Sequence, residues 1–338
     1  MHAGWPAMVP DELLSSYLSR SALGRGISAQ SLVAQLCPGV DVWNRDIDAN
    51  PPRLLLDYMA QAIDCDVSEL DNMTLSRWAD SLPVQGSGMH RWVNAIGVYH
   101  RSRTRFGLCY CPVCLDELPV FNVHWRLSYW TVCPLHCVSL CDACPHCGAA
   151  LEIHRQRVDI RRCIRCHEPL TQHSGSRGMP TFTQTALTAA ALIPATVQYG
   201  LCSVASGQDY LCGMRALLSA FHTARAPDPQ DARHLRARIE LRRINGRHSD
   251  LGLLDRIVRA WPHSMLSLAE QYSLTQRSFR QECPDWICKA LAQLPPGRAN
   301  GQLRPSLAAV RAAKSAQLAR GVGWRTMRAR ALIEMAEH

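Results

Sequence analysis

Four pairs of cysteine or histidine, each with two residues between its members, lie between Cys111 and Cys166: Cys111/Cys114, Cys133/His136, Cys144/Cys147 and Cys163/Cys166. In order they read C-x2-C-x18-C-x2-H, then C-x2-C-x15-C-x2-C. A two-residue spacer makes a tight knuckle that aims both side chains at one ion, and two such knuckles complete a tetrahedral set with no open position. Thiolate and imidazole donors suit zinc, which needs no redox chemistry in a closed site. The expectation is two structural zinc ions. Cys111, Cys114, Cys133 and His136 hold the first; Cys144, Cys147, Cys163 and Cys166 hold the second. Buried free cysteines or disulfides are the plainer reading, and the repeated spacing argues against it. Cys109, Cys137 and Cys141 are left over, and Cys137 or Cys141 could replace His136 as a ligand. His146 and His167 read as exposed polar residues.

A closed site holds an ion but offers no coordinated water to a substrate, so an enzyme is not expected. A zinc deaminase needs H-x-E upstream of P-C-x2-C. Here His167 and Glu168 are adjacent and follow the cysteines. No Walker loop, G-x-S-x-G or H-E-x-x-H occurs. Sixteen cysteines fit metal binding in a reducing cytosol better than a disulfide framework. The N-terminal residues lack a signal-peptide pattern, and no apolar run reaches membrane-spanning length. A cytoplasmic, bacterial protein is the resulting expectation.

The elements around the array divide by charge. The chain has 338 residues and net charge +9, yet residues 1–90 carry −6, residues 91–178 carry +5 and residues 225–338 carry +10. Helices are expected from Pro10 to Gly24, from a Ser28 cap to Leu36, from Pro51 through Ile63, and from a Ser68 cap through Met73. The last two have helix-turn-helix spacing, with Ala60 at the crossing and Leu70 returning to the core. Asp57, Asp64, Asp66, Glu69 and Asp71 set that pair against phosphate, leaving protein contact or a structural role. A short strand is expected at Val158 to Arg162, two buried helices within 181–224, and a basic helix from Asp228 to Arg247 ending near Gly246. Another helix spans Leu251 to Trp261. Ser267 to Phe279 repeats the helix-turn-helix spacing, and a basic helical pair spans Ser306 to Met335. Arg236, Arg242, Arg243, Arg277 and Arg280 are the candidate nucleic-acid contacts, gripping phosphate without reading bases.

The fold expected is mainly α with small zinc-bound β-hairpin modules. Its domains are an acidic helical one at 1–90 with a helix-turn-helix, a double zinc module at 91–178, a helical domain at 179–296 with a second helix-turn-helix, and a basic tail at 297–338.

Three stretches resemble the TniQ family of transposition target selectors, related to TnsD: PDELLSSYLSR at Pro10 to Arg20, FGLCYCPVCLDELPVFNVHWRLSYWTVCPLHCVSLCDACPHCGAAL at Phe106 to Leu151, and RCIRCHEPL at Arg162 to Leu170. With the Trp261-Pro262 region they span residues 8–290. The resemblance implies an accessory protein of DNA transposition that couples a target recogniser, either an RNA-guided CRISPR effector or target DNA, to an AAA+ ATPase that recruits the transposase. It also implies head-to-tail dimers in some members. It puts the two zinc sites on the eight residues named above, with Phe121, Trp125, Leu127, Tyr129 and Trp130 packing the metal modules together. Cys137 stands where a small residue usually follows the histidine. The alternative is a stand-alone zinc-containing regulator that binds DNA or RNA through its basic half. Such a direct binder would lose affinity steeply with salt, whereas an adaptor would prefer a protein complex to naked DNA.

Overall fold

The computed structural model describes residues 4–83, 91–171, 177–192, 197–199, 202–204, 206–225, 238–279 and 283–297. The architecture is mainly helical, with three two-stranded antiparallel hairpins among the described residues. Arg236, Arg280 and the pair expected at Ser306 to Met335 lie outside the described residues.

The N-terminal helices are α1 (Leu14–Gly24), α2 (Ala29–Leu36), α3 (Arg53–Ile63) and α4 (Val67–Asp71). Ser28 caps α2, its hydroxyl accepting from the Ser31 N–H at 3.0 Å. α4 is capped by Asp66 rather than the expected Ser68: Asp66 accepts from the Ser68 N–H at 2.7 Å while Glu69 accepts from the Asp66 N–H at 3.2 Å. A carboxylate with a glutamate three residues on closes the reciprocal box, and Ser68 sits two residues too late to do so. α1 starts at Leu14, four residues after Pro10, because Asp11 takes a left-handed conformation (φ 60°) and the Glu12 backbone bridges to Asn122. Asp64 ends α3 in the left-handed region, and Ala60 and Leu70 are both buried across the turn that follows. One core gathers Leu14, Tyr17, Leu18, Leu32, Trp43, Leu55, Met59 and Leu70.

A larger core runs from Leu13 to Leu294 and is shared by the cysteine-rich region and the helices after it. The cysteine-rich part contains β1 (Val98–Tyr99), β2 (Ser102–Arg103), α5 (Pro112–Glu117), β3 (Val132–Cys133) and β4 (Val138–Ser139). β1 pairs with β2, and β3 with β4. The strand expected at Val158 to Arg162 is absent: Val158 is exposed, and only Arg162 makes a bridge, to Pro169. The chain turns there instead, Asp159 accepting from the Arg161 N–H at 2.9 Å with its side chain and from the Arg162 N–H at 3.1 Å with its carbonyl.

Next come α6 (Phe182–Leu192), β5 (Val197–Tyr199), β6 (Cys202–Val204) and α7 (Gly207–Arg225); β5 pairs with β6. α6 and α7 are the two helices expected in this stretch, buried through Leu187, Ala190, Leu211, Leu217 and Phe221. α8 (Ile244–Val258), α9 (His263–Gln271) and α10 (Asp285–Leu291) complete the described helices. Of the basic helix expected from Asp228 to Arg247, residues 228–237 lie outside the described residues, and the part from Arg238 is corrected here. Arg242 and Arg243 have extended backbones, the helix begins at Ile244, and it continues through Gly246 to Val258. Within the expected second helix-turn-helix, α9 is followed only by a single 3-10 turn at Gln276–Ser278. Ala269 and Leu274 are buried there as the spacing required. No helix among the described residues is long and apolar enough to cross a membrane.

Candidate metal centres

The first centre is assembled from both ends of a buried aromatic stretch. Cys111 precedes α5 and its thiol accepts from the Cys114 N–H at 3.5 Å, so the helix start holds both thiols on one side. Phe121, Trp125, Leu127 and Tyr129 are buried in the larger core, and Trp130 packs against it. This stretch carries the chain back to β3, where Cys133 sits. Gln184 of α6 clamps β3: its side-chain oxygen accepts from the Thr131 and Val132 N–H groups and its amide donates to the Val132 carbonyl at 2.7 Å. His136 Nδ1 then lies 3.1 Å from Cys114 Sγ and 3.6 Å from Cys111 and Cys133 Sγ, and Cys114 and Cys133 Sγ are 3.6 Å apart. The other ring nitrogen, Nε2, is 3.3 Å from a Glu117 carboxylate oxygen.

In the second centre Cys144 and Cys166 Sγ are 3.6 Å apart, as are Cys147 and Cys163 Sγ. The four knuckles share one closure. The N–H four residues after the first ligand donates back to that ligand's carbonyl: Leu115 to Cys111, Cys137 to Cys133, Gly148 to Cys144 and His167 to Cys163, at 2.9–3.0 Å. In three of them the closing residue is left-handed, Cys137 at φ 50°, Gly148 at 69° and His167 at 62°. That assigns Cys137 and His167 to the turn. The Cys137 thiol points to the Pro134 carbonyl at 4.0 Å, and His146 and His167 are exposed. Cys141 is tied to Tyr110 by paired backbone hydrogen bonds, and Cys109 is buried with the Arg247 guanidinium 3.0 Å from its sulfur.

The donors fit zinc. Around a tetrahedral zinc with bonds of about 2.3 Å, sulfurs lie about 3.8 Å from one another. The 3.6 Å separations fall close to that spacing. Among the described residues, these two four-residue groups bring their ligand atoms within 4.8 Å of one another. Each set is complete with protein donors, so a bound ion would organise the fold and take no substrate. The Glu117 carboxylate, 3.3 Å from the outer ring nitrogen, fixes the orientation of the His136 ring that presents Nδ1 to the thiols.

Residues 3–140 match the TniQ family model. The chain carries a TniQ domain. TniQ proteins are accessory proteins of transposition. The TniQ match takes in the N-terminal helices and the whole first centre and stops before the second, which follows it at Cys144. No curated protein matches the chain.

Beyond the TniQ domain, the structure places the candidate arginines differently from one another. Arg242 pairs with buried Asp250 at 2.7 Å and contacts His222. Arg243 pairs with buried Asp142 at 2.9 Å, and its guanidinium lies 3.8 Å from the Phe106 ring centroid. Arg242 thus joins α7 to α8, while Arg243 ties the second half to the cysteine-rich region. Arg277 is exposed on the 3-10 turn after α9. Sequence reasoning missed Glu117, His154 and Arg126. The first could have been found: Glu117 is three residues past Cys114 on α5, on the side that faces the centre. No local signal marks the other two, whose partners are distant in sequence.

Proposed function

We propose that this chain is a non-catalytic adaptor of DNA transposition that holds one structural zinc in each centre. It links a target-recognising complex, an RNA-guided CRISPR effector or the target DNA, to an AAA+ ATPase regulator and so recruits the transposase. The observation that carries the reading is the TniQ match over residues 3–140. Two saturated ligand sets support it, since they leave no open metal position for catalysis. The acidic N-terminal helices are the surface for protein contact. There Leu54 and Tyr58 stand exposed one turn apart on α3, beside Asp57 and Asp64. Arg277, with Arg236 and Arg280, supplies auxiliary DNA contact, and two copies of the chain can pair.

The test is affinity capture with the tagged full-length chain in cells that carry the transposon machinery, together with an integration assay. An AAA+ ATPase should co-purify, and integration at the selected target should cease when the chain is removed. Undiminished targeted integration without the chain would refute the adaptor role.

A further inference from the structure

The β1–β2 hairpin, the start of α2 and residues 154–157, which lie in the spacer between Cys147 and Cys163, line a groove of about 420 Å³ that Ile164 of the last knuckle also borders. Its lining includes His100, Arg101, His154, Arg155 and Arg157, with Ser28 and Gln30 on the opposite wall. The hairpin tip is unusual. His100 and Arg101 both have positive φ, 46° and 65°, in a two-residue turn where glycine or asparagine is ordinarily preferred. Two consecutive side chains in the left-handed region cost free energy that the surroundings must offset. Here they do: buried, neutral His154 stacks on Trp43 with centroids 4.9 Å apart, and its Nε2 donates to the Arg101 carbonyl at 2.9 Å. The tip is thus held in a shape that keeps a cationic side chain at the groove.

We propose that this groove grips the phosphodiester backbone of a nucleic acid, with Arg101, Arg155 and Arg157 as the phosphate contacts. All three are exposed. Arg101 is aimed by Asp41 at 2.9 Å, and Arg155 by Ser102 and Glu152 at 3.1 and 3.0 Å. Arg157 pairs with no described residue. Asp41 holds both Nε and Nη2 of Arg101, at 3.3 and 2.9 Å, so Arg101 and Arg155 offer phosphate their remaining N–H groups while Arg157 offers a whole bidentate fork. Tyr99 is 67% exposed at the same tip, packed edge-on against His100 with centroids 4.3 Å apart. An exposed ring beside phosphate-gripping arginines is how single-strand binders add base stacking. The two carboxylates in the groove's surroundings, Asp41 and Glu152, each serve an arginine already present.

This inference goes beyond the adaptor role and does not need it, because the purified chain is measured without ATPase or transposase. Fluorescence anisotropy would follow a labelled random-sequence duplex DNA, a single-stranded RNA and a polyglutamate peptide over a salt series. The proteins compared are the wild type, Arg157→Glu, the triple variant R101A/R155A/R157A and, in parallel, R277A/R280A. The triple variant should weaken nucleic-acid binding about ten-fold or more. Its log–log salt slope should fall by about 0.9 per lost contact on duplex or about 0.7 on single strands. Arg157→Glu should show part of the same loss. A loss on only one of the two nucleic acids supports the groove and names its occupant. Zinc content and thermal melting show that each variant is folded; Arg157, which has no partner among the described residues, carries the test if the triple variant is not. Unchanged affinity and slope on both nucleic acids in folded variants would overturn the proposal, as would loss restricted to R277A/R280A. Polyglutamate binding as tight as the nucleic acids, and lost equally, would also overturn it.

Discussion

Arg126 and Asp48, 78 residues apart, meet in the interior at 3.2 Å, with side chains 0% and 4% exposed. Arg126 also donates to Asp46 at 2.6 Å and to the Asn94 carbonyl at 2.9 Å, while Asp48 accepts from the Ser15 N–H and hydroxyl, both at 2.8 Å. Burial pushes the Asp48 carboxyl above its ordinary range, and the Arg126 charge opposes that shift. The pair therefore fastens the N-terminal helices to the cysteine-rich region. Arg126→Ala should destabilise the protein by roughly 3–5 kcal/mol, because it strands a buried carboxylate. Combining Arg126→Met with Asp48→Asn should recover part of the loss. Urea denaturation midpoints give both values. Deleting residues 1–90 would leave Arg126 without either carboxylate, so surface substitutions are the better probe of the acidic helices.

Metal analysis of the purified chain should return two zinc ions, one per centre. Binding of about 10–16 kcal/mol in peptide models rivals a whole domain's stability. Cys144→Ser or Cys163→Ser should therefore unfold the surroundings of the second centre, visible as lost near-ultraviolet dichroism. One zinc or none in folded wild type would contradict the assignment.

Glu117→Ala should weaken zinc at the first centre by about 10–100-fold while leaving the second unchanged, since it removes the carboxylate that orients His136. Competition with a coloured chelator resolves the two ions. Equal release from both centres would assign Glu117 no orienting part.

His154 gives a pH signature. Burial holds its pKa down at about 3, with the nearby Arg103 charge acting in the same direction. Above about pH 6.5 the imidazole is neutral in both folded and unfolded chains. As pH falls below that, the unfolded chain binds a proton that the folded one refuses, so stability drops by up to about 1.4 kcal/mol per pH unit until the folded pKa is reached. His154→Gln keeps a donor for the Arg101 carbonyl and should remove this part of the slope. Denaturation curves of both proteins between pH 5 and 7.5 measure the difference.

Reversing Asp64, with Leu54→Ala and Tyr58→Ala on α3, should reduce partner capture and spare duplex DNA affinity. Arg277→Ala with Arg280→Ala should lower integration without moving its position. Salt-dependent duplex binding by the wild-type chain, lost with Leu54→Ala and Tyr58→Ala alone, would instead make that face a DNA surface.

The metal sets were legible because their rule is local: two residues between ligands force a knuckle wherever they occur, and four pairs in order leave few ways to combine. The four N-terminal helices were legible for the same kind of reason, through Ser28, the Pro51-Pro52 start and the leucine spacing. Asp66 displaced Ser68 as a cap because the box needs Glu69 three residues on, a choice made within four residues but only by geometry. What the chain could not announce was where its arginines go. Arg242, Arg243 and Arg126 look like any other cations in a row of letters, yet Asp250, Asp142 and Asp48 reach them from 8, 101 and 78 residues away. Arg126 is fully buried by such a pairing and Arg243 stays half exposed, and no local spacing tells the two apart. The same holds for the groove, whose walls come from residues 28–30, 100–101 and 154–157, and which exists only after the fold has brought them together.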